Sequence, residues 1–430
     1  MTPSARVEQY LHHYAVTGST DRAQWLSRHC RRYQHVVCVP LFDETEAIFH
    51  SLAQVSDADK ALVIAVINTP EDASTAAAAR TRALHHHLVC NHPQLAQSSD
   101  TTLVNFGDTG LNVLVIDRCT DPLPARQGVG LARKLGNDVA LALWHKDRVR
   151  SEWFYQTDGD ATLPAHYFLA PEQFGDAVAM HLNFEHVGSP TTSLSQRLYD
   201  LKLDYYVAGL QHATSPYAHY SLGSALAIKA DAYASVRGYP RRAAGEDFYL
   251  LNKLRKLGRI GFDASRTIRL EERLSTRVPF GTGPAVQTFA TQRHPLDTRA
   301  FYAPACFDAL KLWLDFIAAS AQRDGGAAAP CARTRWDDHQ DRPLYAAATQ
   351  AADTLDLFEW LDDTLTHYPK TQWLPQLQNG MDGLKTLRFI HALRDSGLGN
   401  VTAPVAQDWL TAFQQKHTTP MRFRSHALVS

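Results

Sequence analysis

The sequence predicts an α/β protein: a mostly parallel central sheet with helices on both faces, followed by a helical C-terminal region. Three observations predict it. Runs that are apolar along their whole length recur at residues 36–41, 61–67 and 111–116. A strand buried on both faces reads this way, whereas a half-exposed strand alternates. Segments of helical spacing separate these runs, and strand–helix alternation is the pattern of a covered parallel sheet. Beyond the small residues and breakers at 324–330 only the helical period remains.

The elements follow in order. Residues 1–34 are polar and helical, without evident chemistry. The first strand, 36–41, reads Val-Val-Cys-Val-Pro-Leu, and a helix follows over 44–55. The second strand, 61–67, closes on Asn68 and leads into an Ala-rich helix over 71–90. The third strand, 111–116, ends at Asp117; a helix spans 127–146; a fourth strand, 152–157, opens into Asp158-Gly159-Asp160. Then the order mixes: a strand at 177–184, a helix at 194–210, a strand at 224–229 and a helix at 246–257 stopped by Gly258. Further on, Leu355, Phe358, Leu361 and Leu365 form one apolar stripe, and Met381, Leu384, Leu387, Ile390 and Leu393 another. The expected division is an α/β domain over 1–323, a linker over 324–335 and a helical region over 336–430.

Composition narrows the function. A chain of 430 residues fits two to three domains, and 45% hydrophobic with 20% charged residues is ordinary globular usage. Lys and Arg number 43 against 44 Asp and Glu, a net charge of −1. That excludes a general nucleic-acid binder, which carries excess positive charge, and leaves room for a local basic pocket around one phosphorylated ligand. No apolar run reaches the roughly 18 residues of a membrane span. The first 20 residues hold no apolar signal core, so the expected location is the cytoplasm. Six cysteines, with no CxxC spacing, read as reduced thiols. The chain lacks GxxxxGK[ST], GxSxG and HExxH, excluding the P-loop, hydrolase-elbow and zincin readings. Gly128-Val129-Gly130 departs from the dinucleotide fingerprint, with Arg133 at the third glycine position.

The informative motif is Asp158-Gly159-Asp160 at the end of an apolar strand. In extended chain, residues i and i+2 face one way, so two carboxylates converge on one cation. Carboxylate oxygens suit Mg²⁺ or Mn²⁺, which bridge substrate phosphates. The bland alternative is an acidic turn. Further acids and an arginine stand at telling places: Asp43-Glu44 past the first strand, Arg133 before the Asp158 strand, and Glu246-Asp247 opening a helix. A helix N-terminus favours acids by its dipole alone, so this last pair reads either way.

In their order these segments resemble glycosyltransferase family 2, enzymes of the GT-A fold. Four short motifs carry the resemblance over about residues 35 to 260: Val39-Pro40 through Glu44, Gly128 through Arg133, Asp158-Gly159-Asp160, and Glu246-Asp247 after Arg237-Gly238-Tyr239. The resemblance implies a nucleotide-sugar donor, Mg²⁺ or Mn²⁺ on its diphosphate, and an acceptor hydroxyl on a carbohydrate or other molecule. By position, Asp158 and Asp160 are the metal ligands, Asp158 also reaching the donor. Pro40, Glu44, Asn68 and Arg133 stand at the donor, and Asp247, beside Glu246, is the general base of an inverting transfer. Asn68 occupies the place of the family's usual acidic residue. The chemistry is coherent: a dication stabilises the departing diphosphate, and a carboxylate takes the proton of a weakly nucleophilic alcohol.

Other features stay open. Arg273 and Arg277 either grip the donor diphosphate or pair with Glu271 and Glu272 on the surface. His294 reads as a third metal ligand or as surface. His85, His86, His87, Cys90 and His92 invite a zinc reading against that of ordinary exposed histidines. Trp336, Trp360 and Trp373 stack on sugars or pack a core. Two rival functions remain: a nucleotidyltransferase, which calls for a glycine-rich loop where this chain has Phe42-Asp43-Glu44-Thr45, and a non-catalytic scaffold of similar fold. A peripheral membrane contact, toward a lipid-linked acceptor, stays open with no basic amphipathic helix to carry it.

Overall fold

The computed structural model describes residues 3–107, 109–188, 193–272, 282–322, 331–337 and 343–417. The elements begin α1 (Pro3–His13), α2 (Ser19–Leu26), β1 (His35–Leu41), α3 (Ala47–Ala53), β2 (Ala61–Pro70), α4 (Thr75–Cys90), β3 (Gln94–Gln97), β4 (Thr101–Phe106) and β5 (Leu111–Leu123). Next come α5 (Gly128–His145), β6 (Trp153–Gln156), β7 (Ala161–Thr162), α6 (Pro171–Phe174), β8 (Ala177–Gly188), α7 (Ser193–His212), β9 (Leu226–Lys229), α8 (Ala230–Ser235), α9 (Glu246–Leu254) and β10 (Arg259–Glu272). The rest is helical but for a short strand pair: α10 (Thr282–Ala290), β11 (Phe301–Tyr302), α11 (Pro304–Gln322), α12 (Ala332–Asp337), α13 (Pro343–Thr354), α14 (Leu357–His367), α15 (Lys370–Gly380), α16 (Gly383–Leu393), β12 (Asn400–Val401) and α17 (Ala403–Lys416).

These elements form two units: Met1–Ser193 with Ser221–Ala285, and Leu194–Tyr220 with Val286–Ser430. The boundary therefore differs from the expected one at 324–335. Residues 324–330 lie outside the described set, and the end of the expected linker is already the helix α12. The reason is shared cores. Trp313 of α11 packs against Trp336, Phe358 and Phe389 of the later helices. Phe307 packs against Tyr205 of α7 and Trp409 of α17. Trp336, 2% exposed, is thus a core residue rather than a sugar platform.

In the first unit the strands make one ten-stranded sheet in the order β3-β4-β5-β2-β1-β6-β9-β8-β10-β7. Its centre, β5-β2-β1-β6, is parallel. Beyond it the sheet is mixed: β9 runs antiparallel between β6 and β8, and β3, β4 and β5 join antiparallel. The expected mostly parallel sheet is accordingly a parallel core with mixed flanks, in which β8 and β10 pair parallel while β3, β4, β7 and β9 run antiparallel to their neighbours. In β1 the residues after His35 are all buried, and β2 is buried up to Pro70, which is why both read as unbroken apolar runs.

Helix α5 lies directly on this core. A Cβ at Gly136 would meet Val66 Cγ2 at 3.5 Å and Cys38 Cβ at 3.6 Å, so the small residue lets helix and sheet approach closely. At the helix start, Gly130 N–H donates to the Arg242 carbonyl at 2.9 Å, and a Cβ there would stand 2.5 Å from the Pro240 carbonyl oxygen. The outer side of α5 carries the N-terminal segment. Asp138, fully buried, accepts from Tyr10 at 2.5 Å, Tyr233 at 2.8 Å and the Val16 N–H at 2.7 Å. Burial pushes its carboxyl pKa up while these partners and Lys134 hold it down. The polar stretch 1–34 therefore clamps α5 against the sheet through a satisfied buried network.

Candidate functional site

The parallel strands β1, β2 and β6 end side by side, where open α/β sheets place their ligands. From β1 the chain passes through Asp43 (φ 57°) to Glu44. Asp43 accepts two hydrogen bonds from Arg80, at 2.6 and 3.0 Å, and its N–H donates to Thr81 Oγ1 at 2.9 Å. This fixes the turn that presents Glu44.

After β6 the residues Asp158-Gly159-Asp160 form a turn rather than the extended segment the sequence suggested. The two carboxylates consequently have different neighbours. Asp158 accepts from Arg133 Nη2 at 2.6 Å, whereas Asp160 lines a cleft with Glu44, Arg269 and Glu271. Gly159 permits this packing. A Cβ there would lie 2.7 Å from both Glu44 Cγ and Leu41 Cδ2, so the turn lies hard against the end of β1 only because the position is glycine. The cleft holds about 360 Å³.

Arg133 is the junction of the site. It rises from α5, is 3% exposed, and joins Asp158 to Glu246, which accepts from Nε at 2.9 Å. Its third nitrogen, Nη1, is buried without a hydrogen-bond partner. Gly223 leaves it room, since a Cβ there would stand 2.7 Å from Nη2.

Glu246 and Asp247 open α9 just after Gly245, whose φ of 68° is the left-handed turn glycine accepts. Glu246 is buried, and desolvation with the adjacent Asp247 pushes its pKa up to about 7 against the pull of Arg133. Asp247 is half-buried. It accepts from the N–H of Phe248 at 2.7 Å and from the N–H of Gly223. Burial raises its pKa, while those two amides and Arg133 lower it.

Other expected residues fall elsewhere. Pro40 is buried within β1, opposite Val66. Asn68 is 3% exposed, and its side-chain amide donates to the carbonyls of Leu41, at 3.2 Å, and Val66, at 3.3 Å. Asn68 thus braces the ends of β1 and β2 instead of lining the cleft. Arg273 and Arg277 lie outside the described residues. His294 is exposed in the second unit. The histidine run divides: His86 meets Cys90 at 3.6 Å, while His87 and His92 turn toward Glu46. Sequence reasoning missed Arg269 and read Glu271 only as a surface ion-pair partner, not as cleft wall, because β10 went unread; its alternation of charged and apolar residues was the available signal.

Asp160 and Glu44 bring carboxylate oxygens, the donors Mg²⁺ and Mn²⁺ select, to the cleft; Asp158 is turned to Arg133 and does not gather with them into a three-ligand group. Comparison with protein-family models finds no match for this chain, and comparison with curated proteins finds none. No helix among the described residues is long and apolar enough to cross a membrane.

Proposed function

We propose that the chain is a GT-A-type, family 2-like glycosyltransferase. It would move a sugar from a nucleotide-diphosphate donor to an acceptor hydroxyl, on a carbohydrate or another molecule, with inversion. The observation that carries this reading is Arg133. It joins the Asp158 turn and the Glu246-Asp247 helix start, 113 residues from itself to Glu246, into one acidic cluster at the strand ends.

In this reading Asp158 and Asp160 would hold Mg²⁺ or Mn²⁺, with Glu44 alongside at the donor. The ion supplies neutralisation of the charge that grows on the departing diphosphate. Asp160 lines the cleft, where it would reach the donor. Arg133 keeps Asp158 oriented and its charge partly balanced. Asp247 takes the acceptor's proton. Its carboxylate is aimed by two backbone amides, and burial makes it more basic than a free aspartate, which suits proton abstraction near neutral pH. Glu246, spent on Arg133, is a positioning residue. Six unpaired cysteines suit a reducing compartment such as the cytoplasm.

Calorimetry with UDP and GDP, with and without Mn²⁺, tests the reading. Metal-dependent binding of one nucleotide, lost in Asp160→Ala, is expected. Release of pyrophosphate from a nucleoside triphosphate would favour the nucleotidyltransferase, and absence of binding to any nucleotide would favour the scaffold. A screen of nucleotide sugars for slow donor hydrolysis then identifies the donor without knowledge of the acceptor.

A further inference from the structure

A second cluster of ligating side chains lies apart from Asp158 and Asp160. Glu46 immediately precedes α3, His87 sits in the last turn of α4, and His92 stands on the connection to β3. Glu46 Oε2 is 2.8 Å from His87 Nε2 and 3.8 Å from His92 Nε2. One ligand atom from each of the three residues falls within a 4.8 Å group. We propose that Glu46, His87 and His92 form a binding site for a borderline transition-metal ion, Zn²⁺ foremost, distinct from any hard dication at Asp158 and Asp160.

Three features support it. First, the donor set of two imidazoles and one carboxylate is the chemistry Zn²⁺ prefers, whereas Mg²⁺ takes oxygen alone. Second, the spacing fits. Bonds of about 2.0–2.1 Å in tetrahedral geometry set ligand atoms roughly 3.3 Å apart, and the two contacts to Glu46 straddle that value. Third, His92 Nε2 is buried yet makes no hydrogen bond. It faces a carboxylate oxygen across a gap too long for one.

The partners around the cluster define what binding must change. His50 Nε2 lies 3.3 Å from the other Glu46 oxygen, Oε1, and so keeps that oxygen turned away from the ligating one. Asn91 meets His87 Nδ1 at 2.8 Å; with the amide oxygen turned inward it accepts from Nδ1–H and frees Nε2 to ligate. His92 lies against Phe106 with the rings tilted by 34° and centroids 4.5 Å apart. The Gly107 N–H donates to its Nδ1 at 3.0 Å, which puts the ring proton on Nε2 in the ion-free protein. On binding, that proton passes to Nδ1 and the Gly107 contact breaks. The ion ties the start of α3 to the end of α4, with water completing its coordination. Access is open, since His87 is 43% exposed.

The test is zinc binding to the chelator-treated full-length chain by calorimetry, with an amide NMR spectrum in parallel. We expect one high-affinity equivalent, not displaced by excess Mg²⁺, weakened at least tenfold in each of Glu46→Gln, His87→Asn and His92→Asn, and unchanged in Cys90→Ser. The Gly107 amide resonance should shift on saturation. His87→Asn, at a half-exposed position, keeps the test readable if either of the other variants folds poorly. Equal zinc affinity in wild type and His87→Asn, loss in Cys90→Ser, or no high-affinity equivalent in the wild-type chain would each overturn the proposal. Nucleotide binding plays no part in these readouts, so they stand independently of the transferase reading.

Discussion

Replacing Arg133 by Met removes one buried guanidinium and leaves two carboxylates without it. Asp158 is about a third exposed and recovers water, but Glu246 stays enclosed, with a side chain only 7% exposed. Breaking a buried pair from one side costs about 3–5 kcal/mol. Glu246 can limit that cost by holding a proton, and the groups facing it, Arg133 and Asp247, set when it does so. In the wild type its pKa is about 7; without Arg133 it rises further. Its ordinary value is 4.5, so between that pH and its folded pKa the folded state holds a proton the unfolded chain has lost, and stability falls as pH rises. The wild type stops losing stability by this route near pH 7, while the variant continues. Urea unfolding of both proteins should therefore show a destabilisation of about 3–5 kcal/mol at pH 8, smaller by about 1 kcal/mol at pH 6. A loss under about 1 kcal/mol, or one equal at both pH values, would refute Arg133 as the buried link between the two acidic segments. Turnover of an identified donor should vanish in the same variant.

Three further outcomes follow from the same geometry. Gly159→Ala drives a Cβ into Glu44 and Leu41; the overpacking costs about 1–3 kcal/mol, and metal-dependent nucleotide affinity measured by calorimetry should drop tenfold or more. Asp247→Asn should reduce turnover at least a thousandfold while donor affinity stays within a few fold, the signature of a contact made in the transition state. In the wild type, burial raises Asp247 above the ordinary aspartate value, so the acid limb of the kcat profile should lie at higher pH than a free aspartate would set.

The parts of the fold legible in the sequence are those where one local rule decides. Strands β1, β2 and β5 are enclosed on both faces along most of their parallel pairing, so composition alone marks them. Strand β10 carries Arg259, Arg266, Arg269, Glu271 and Glu272 because much of it faces solvent; pairing with β8 and β7 makes it a strand. The β3–β4 hairpin escaped for the same reason, Gln94–Gln97 being largely exposed. Of the second apolar stripe, Met381, Ile390 and Leu393 are buried as expected, while Leu384 and Leu387 stand at the margin and Thr386 and Phe389 complete the buried face of α16. Of the site, the acidic motifs were legible as motifs, but their connection was not. Nothing in the spacing says that Arg133 reaches both Asp158 and Glu246. Likewise Glu46 lies 41 residues from His87, so the histidine run was read with its neighbour Cys90 instead of its partner in space.

The charge of the cluster argues for a cationic ligand on grounds separate from motif order. Asp43 is matched by Arg80, and Arg269 by Glu185 at 2.7 Å. Among the described residues that leaves Arg133 as the buried cation bonded to Asp158 and Glu246, with Asp247 close enough to raise Glu246 further. Such crowding is costly in a protein selected for stability alone, because each added buried carboxylate must keep a proton or find a counter-charge. The fold tolerates it by spending a fully enclosed arginine on the inner acids and leaving Asp160 at the cleft. If a nucleotide diphosphate is the ligand, the carboxylates of Asp160, Glu44 and Glu271 on the cleft wall favour its arrival together with a dication, and nucleotide affinity at this site should then rise and fall with the metal.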